Sequence, residues 1–421
     1  MRTMRNLIPL PRPRPGRARP GRARRVAALA GLTTLLTGAV TGVLSAGTTL
    51  PANAGCVPKW KLETSPADST DVQDVDALSA TDVRFSANVS SLLGGGLSQT
   101  AWDGAKVTDA GPQIPVAPKH PRVMVTTSSY DSASSGWTVT YPSAGLADVA
   151  RSVMARWDGG RWTLTPTAVS PSPESTRPSI LDVLSLSPDN AWAVGYLDES
   201  GALIEHWDGT EWKVVDNPAA TTPNTQLLKI HGSSPTDLWA VGWQYPPNGG
   251  LHRLYAQHYD GSKWSEVTMP DVGAPDAAAS AVVVKGPNDV WVGGIRGTWA
   301  DFNGYRGVVM HWDGKTWTVD TGPGDVAQGD MVNGLYIAGP NDIWAIAGKG
   351  LMHRTGTTWT KVVPEGAQPG GVAHYYRAIS GTGPSDVWAV GLYETTEASN
   401  VPGTTLGFDH PLLAHLTCGR R

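Results

Sequence analysis

The stretch PTDLWAVGWQYPPNGGLHRLYAQHYDGSKWSEVTMP (Pro235–Pro270) is written several times over in this chain. PDNAWAVG (188–195) with EHWDGTEWKVVDNP (205–218) precedes it. PNDVWVGG (287–294) with MHWDGKTWTVDTGP (310–323), then PNDIWAIA (340–347) with MHRTGTTWTKVVP (352–364), follow it. Repetition at a period of tens of residues marks a solenoid or a propeller, because each unit needs its neighbours to bury its apolar faces. The tryptophan of the DxWAVG run falls at Trp192, Trp239, Trp291, Trp344 and Trp388, at spacings of 47, 52, 53 and 44. Trp137 in SSGWTVTY and Arg84 in ATDVRFSAN fit the same frame, which makes seven copies.

Each copy reads as four short strands: an apolar inner run such as LLKIHGSS, the LWAVGW run, a third such as RLYAQHYD and a fourth such as KWSEVTM. Pro188, Pro235, Pro287, Pro340 and Pro384 each stand four residues before the anchor tryptophan, where the fixed φ of proline suits a tight turn. Asp-Gly pairs beginning at Asp103, Asp158, Asp208, Asp260 and Asp313 lie between strands three and four, and this dipeptide predicts two-residue hairpins. No copy holds a 3.6-residue apolar pattern long enough for a helix. Four antiparallel strands repeated seven times predict an all-β, seven-bladed β-propeller.

The seventh copy decides how the ring closes. It begins at SDVWAVGLY (385–393) and stops at LLAHLTCGRR (412–421), without a fourth strand. KWKLETSP (59–66), with Trp60, has the form of the fourth strand EWKVVDNP, with Trp212. A strand from near the start of the chain is therefore expected beside the C-terminal strand. In this register Cys56 and Cys418 fall where a hairpin would have joined the two, so a disulfide between them is expected, contributing about 5 kcal/mol by loop entropy.

Residues 1–54 read as an export leader: an arginine-rich start, the apolar run VAALAGLTTLLTGAVTGVLSAG and a small-residue cleavage pattern ending at Ala54. The propeller is then 55–421. The leader holds nine of the 33 basic residues and none of the 37 acidic ones, leaving 24 against 37. So acidic a chain argues against nucleic acid as partner. No second apolar run long enough for a membrane span follows, and two cysteines in an exported chain are most simply one bridge. The expected location is extracellular or at the cell wall, as a monomer.

The chain has 18 Trp and three Phe. Both faces of a propeller blade are covered by neighbours, so large flat rings serve as packing wedges between sheets. His206, His258, His311, His353 and His415 recur in strand three, one per blade. Histidines on separate blades do not converge into a tetrahedral metal site, so each is expected to bond to a turn residue of its own blade, and neither a metal nor another cofactor is called for.

The unit PxDxWAVG…HWDGxxW resembles secreted bacterial β-propeller repeats of the tectonin, kelch and WD-like kind, from Cys56 to Cys418. The resemblance implies the architecture; tectonin-like propellers are often lectins, which implies carbohydrate but carries no particular residue across. The DGxxW turn also resembles the sialidase Asp-box, although Asp and Gly are adjacent here and the upstream serine is missing.

If the repeated grammar builds the fold, function lies in what varies. The Pro-Asp and Asp-Gly turns share one face, so the connections from strand two to three and from blade to blade share the other, which is expected to bind. Its candidate residues are Trp243, Tyr245, Asn248, Arg296, Trp299, Asp301, Phe302, Tyr305, Arg306, His374, Tyr375, Tyr376, Tyr393, Glu394 and Asp409. Rings beside carboxylates and amides suit sugars, and Tyr, Trp and Arg suit protein surfaces. A second candidate is the channel mouth, with Asp74, Thr126, Asp182, Lys229, Ser280, Asn333 and Arg377 about ten residues before each anchor. No nucleophile-elbow, zinc-protease, Walker or dinucleotide motif is present. The expected function is non-catalytic binding of an extracellular glycan or protein surface. The alternatives are a glycoside hydrolase or lyase at the channel mouth, or a structural or adhesion module.

Overall fold

The computed structural model describes residues 57–65, 71–89, 96–111, 114, 123–142, 152–169, 178–197, 200–246, 250–297, 304–326, 330–365, 374–398 and 405–419. The chain divides into Met1–Thr49 and Leu50–Arg421, and every described residue lies in the second unit. Its strands form seven four-stranded antiparallel sheets. The inner strands are Asp71–Ser79, Val123–Ser132, Pro178–Ser187, Thr225–Ser234, Asp276–Gly286, Val332–Gly339 and His374–Gly383. Each packs against the next, and the last against the first, so the sheets close into a ring. The fold is a seven-bladed β-propeller.

Rings wedge the blades together as the tryptophan content predicts. Trp137 lies 4.9 Å from both Trp207 and Trp212 of the following blade. Trp192 meets Tyr259 and Trp264, Trp239 meets Trp317, and Trp388 meets Trp102, all within 4.9–6.0 Å. The strand-two runs between them, such as Leu238–Val241, are fully buried on both sides. The recurrent histidine stacks on the anchor ring across the strand pair and bonds to the residue just after the turn. Nε2 of His258 lies 2.8 Å from Asp237 Oδ1, that of His311 2.9 Å from Asp289, that of His353 2.7 Å from Asp342 and that of His415 2.8 Å from Asp386. In the third blade Asn190 takes the aspartate's place opposite His206, at 3.0 Å.

The Asp-Gly hairpins differ from the expectation. Trp207 pairs with Trp212, and Tyr259 with Trp264, so four residues turn the chain and not two. The reason lies in the aspartate, which stays outside the left-handed region while its carboxylate turns back: Asp208 Oδ1 accepts from the N–H groups of Thr210 and Glu211 at 2.9 and 3.0 Å. Only the glycine takes positive φ, 96° at Gly209. A Cβ there would lie 3.1 Å from Asp189, in the turn between strands one and two, so both turn types occupy one face. The sixth blade has no Asp-Gly and does use a two-residue hairpin, Thr355 pairing with Thr358.

The seventh sheet runs in the order Val57–Leu62, Thr405–Gly419, Asp386–Ala398, His374–Gly383. Trp60 pairs with Leu416 and Lys61 with His415. Trp60 is buried and packs edge-on against Trp344 at 5.0 Å. Cys418 stands opposite Pro58, while Cys56 and the expected leader, residues 1–54, lie outside the described residues. Among the described residues no helix is long and apolar enough to cross a membrane. A short helix, Gly322–Val326, interrupts the link between the fifth and sixth blades.

Candidate functional site

The inner strands all slip by one residue against strand two at the same height, between Val72 and Asp74, Val125 and Thr127, Ile180 and Asp182, and so on round the ring. A bulge of this kind leaves one residue unpaired and cannot be counted from the sequence. The equivalent positions are therefore Asp74, Thr127, Asp182, Lys229, Ala281, Gly334 and Ala378. This corrects the expected ring: Thr126, Ser280, Asn333 and Arg377 are the unpaired bulge residues. Ser280 donates to Val332 O of the next blade at 2.8 Å, and Arg377 pairs with Asp71 at 3.3 Å. Asn333 and Arg377 still line the central cavity of about 450 Å³, together with Asp74, Asp182 and Lys229.

Three of the expected channel residues converge. Thr127 Oγ1 lies 2.9 Å from Asp74 Oδ2 and 2.8 Å from Asp182 Oδ1. Asp74 also accepts from Ser128 N at 2.8 Å, and Asp182 from Ile230 N at 2.9 Å and Lys229 Nζ at 3.1 Å. One hydroxyl proton cannot serve two carboxylates. Burial, then the neighbouring Asp182 charge, raises the Asp74 carboxyl against the pull of Lys229 and Ser128. Burial and the charges of Asp74 and Asp182 raise Asp76 further still. Burial pulls Lys229 down, but Asp182 and Asp74 more than offset it. Burial holds the nearby His231 at about 4, hence neutral, and its Nδ1 accepts from Val284 N at 3.1 Å. The network ties the first four blades together and fills its own oxygens.

On the loop face, strand two and three of the fourth blade bring Trp243, Tyr245 and His252 into one cluster. The His252 ring lies 4.2 Å from Tyr245 and 4.6 Å from Trp243, which is itself 5.2 Å from Tyr245. Asp276, the first residue of the next inner strand, holds the cluster: His252 Nδ1 lies 2.9 Å from Oδ1, and Tyr305 OH donates to Oδ2 at 2.6 Å. Burial, then the bond to Asp276, raises the Tyr305 hydroxyl. Trp243 and Tyr245 stay half-buried. Beside them runs a groove of about 290 Å³ whose lining includes His252, Arg253, Glu266 and Asp271.

Other candidates separate. Tyr305 and Tyr376, expected as exposed loop rings, are buried at 8% and 4% exposure: Tyr305 is held by Asp276, and Tyr376 lies within the inner strand His374–Gly383. Arg296 faces Arg306 across a strand pair, and Arg306 donates to Tyr305 O at 2.8 Å. Tyr375 lies under Lys349 at 4.8 Å, while Tyr393 stacks on His410 at 4.9 Å and meets His374 at 6.2 Å. Asn248, Trp299, Asp301 and Phe302 lie outside the described residues. The face is not uniformly long-looped either, since the sixth blade crosses it with Gly348 and Lys349 alone, between paired Ala347 and Gly350. His252, Asp276, Asp76 and Thr127 were not foreseen; His252 stands in the repeated stretch itself, but no spacing rule connects it to Asp276. Among the described residues no three His, Cys, Asp or Glu side chains converge as metal ligands do.

No family model matches the chain, and no curated protein does. Solved structures match at the level of fold. A GH74 xyloglucanase from Xanthomonas campestris is 9% identical, with a TM-score of 0.51, the match covering 83% of this chain and 55% of that one. The extracellular domain of a hybrid two-component system from B. thetaiotaomicron is 11% identical, TM-score 0.47, over 81% of this chain and 40% of that one. The Aleuria aurantia lectin in complex with Fucα1-6GlcNAc is 12% identical, TM-score 0.41, over 81% and 96%. The chain thus spans about half or less of the first two. The likeness is one of architecture alone.

Proposed function

We propose that this propeller is an exported, non-catalytic binding protein whose loop face takes a carbohydrate. The observation that carries the reading is the Trp243–Tyr245–His252 cluster, held in place by Asp276 beside a groove with Arg253 and Glu266. Half-buried flat rings offer an apolar surface to the C–H face of a pyranose, and the charged groups of the groove suit its hydroxyls. Residues 1–54 act as the export leader in this reading, and Cys56 and Cys418 form a bridge that clamps the closing strand; among the described residues no cysteine is free. The protein works as a monomer outside the cell.

The test is a glycan array with the full chain. Trp243→Ala and Tyr245→Ala are expected to lose the signal at least tenfold with the melting temperature nearly unchanged. Silence of the wild type across the array, or capture of a protein that no sugar competes away, would replace the glycan reading with the adhesion one.

The channel carboxylates favour a second reading, a glycoside hydrolase or lyase at the channel mouth. It is the weaker one, because Asp74 and Asp182 spend their oxygens on Thr127, Ser128, Ile230 and Lys229. Polysaccharide turnover abolished by Asp182→Asn or Asp74→Asn would reinstate it.

A further inference from the structure

One position breaks the repeat. The strand-three residue paired with the one preceding each anchor is Trp102, Trp157, Trp207, Tyr259, Trp312 or Leu416 in six blades. In the sixth blade it is Arg354, opposite Ile343. At the other junctions this place holds a ring or a leucine; here it holds a guanidinium, and Arg354 lines one recess with the preceding anchor, Trp291. The junction holds a groove of about 360 Å³, lined by Trp291, His311, Thr318, Asp320, Arg354 and Thr357.

The groove is built and not incidental. Arg354 Nε donates to Asp320 Oδ2 at 2.9 Å, and the same oxygen accepts from Trp359 Nε1 at 3.0 Å. Asp320 Oδ1 accepts from Gly322 N at 2.9 Å, so the carboxylate is fixed from both sides. Among the described residues nothing else accepts from Arg354, which leaves its two Nη groups as donors toward the groove. The Arg354 side chain is only 16% exposed, so these donors sit at the wall of a recess. The opposite wall is the His311 ring, stacked on Trp291 at 4.0 Å and 18°. Asp289 Oδ1 accepts from Trp291 Nε1 at 2.7 Å and lies 2.9 Å from His311 Nε2, so that wall is rigid.

The chemistry selects a ligand class. Arg354 and Asp320 neutralise one another, so an anion is opposed by the carboxylate and a cation by the guanidinium. An apolar group would cover the pair without satisfying it, at a cost in desolvation. A neutral ligand with adjacent hydroxyls fits, accepting from Nη and donating to the carboxylate, with its C–H face against the His311 ring. We propose that the junction between the fifth and sixth blades is a saccharide subsite in which Arg354 and Asp320 read a pair of neighbouring hydroxyls. It is separate from the loop-face cluster and stands whether or not that cluster binds. The corresponding groove between the third and fourth blades, about 630 Å³, keeps the aromatic as Tyr259 and serves as the internal control.

The experiment uses the full chain and a panel of neutral methyl pyranosides, read by saturation-transfer NMR and by tryptophan fluorescence. At least one pyranoside is expected to bind the wild type. Arg354→Tyr, which restores the ring of the repeat, should weaken it at least tenfold without lowering the melting temperature, and Asp320→Asn should weaken it too. Lys263→Ala, in the control groove between the third and fourth blades, should leave it unchanged. Binding that survives both Arg354→Tyr and Asp320→Asn, loss on Trp243→Ala alone, or no binding by any member of the panel would each overturn the proposal, and the second of these would leave the loop-face reading intact.

Discussion

The His415 ring lies 3.8 Å from the indole of Trp388, tilted by 13°, while its Nε2 reaches Asp386 at 2.8 Å and its Nδ1 lies 3.4 Å from Glu63 just beyond the closing strand. One side chain thus packs the seventh blade, pins its turn and meets the N-terminal segment. The same stack recurs at Trp344 and His353, at 3.8 Å and 5°. Replacing His415 by Ala leaves Asp386 partly buried without its partner and is expected to cost about 1–3 kcal/mol. His415→Gln should recover part of that, if the bond to Asp386 matters beside the stack. Thermal unfolding of the two variants separates the contributions.

The closing strand makes Trp60→Ala a severe change. The side chain is 5% exposed and packs with Trp344, Leu412 and Leu416, so truncation opens a cavity at the ring's seam. A loss of about 3–5 kcal/mol is expected. Hydrogen exchange should show the loss first at Val57–Leu62 and Thr405–Gly419, before the other six blades.

Gly261 takes φ of 90°, and a Cβ there would lie 2.8 Å from Thr236 Cγ2. Gly261→Ala therefore meets both backbone strain and a neighbouring turn, and about 1–3 kcal/mol of destabilisation is expected. Gly356→Ala is the comparison: φ is 63° but nothing lies within 4 Å, so the cost should be smaller.

Stability should respond to pH in two opposite ways. Asp74 is raised in the folded state, so its contribution is complete below the unfolded value near 4 and is lost as pH rises through the folded value. Asp260, held at about 2 by bonds from Ser262 and Lys263, contributes above about 4 and loses that contribution as pH falls toward 2. Melting temperature against pH should therefore decline on both sides. Asp74→Asn should flatten the decline on the alkaline side, whatever its effect on absolute stability; an unchanged slope there would mean that Asp74 is ionised throughout.

The blade count, the turn positions and the histidine bonded to a turn residue of its own blade all stand in the sequence, because a four-stranded unit that must bury both faces repeats its spacing and its rings. The place of Trp60 beside Leu416 was legible for the same reason: an incomplete copy at one end matches the missing strand at the other. Tertiary structure alone decided which channel residues meet, since a bulge shifts every inner strand by one position and hydrogen bonding, not spacing, chose Thr127 over Thr126. It also decided which aromatics serve a site. Tyr305 and Trp243 read alike as loop rings, yet Tyr305 bonds to Asp276 of its own blade and is buried while Trp243 stays half-buried, and the same carboxylate meets His252 of the fourth blade only because the two blades close side by side.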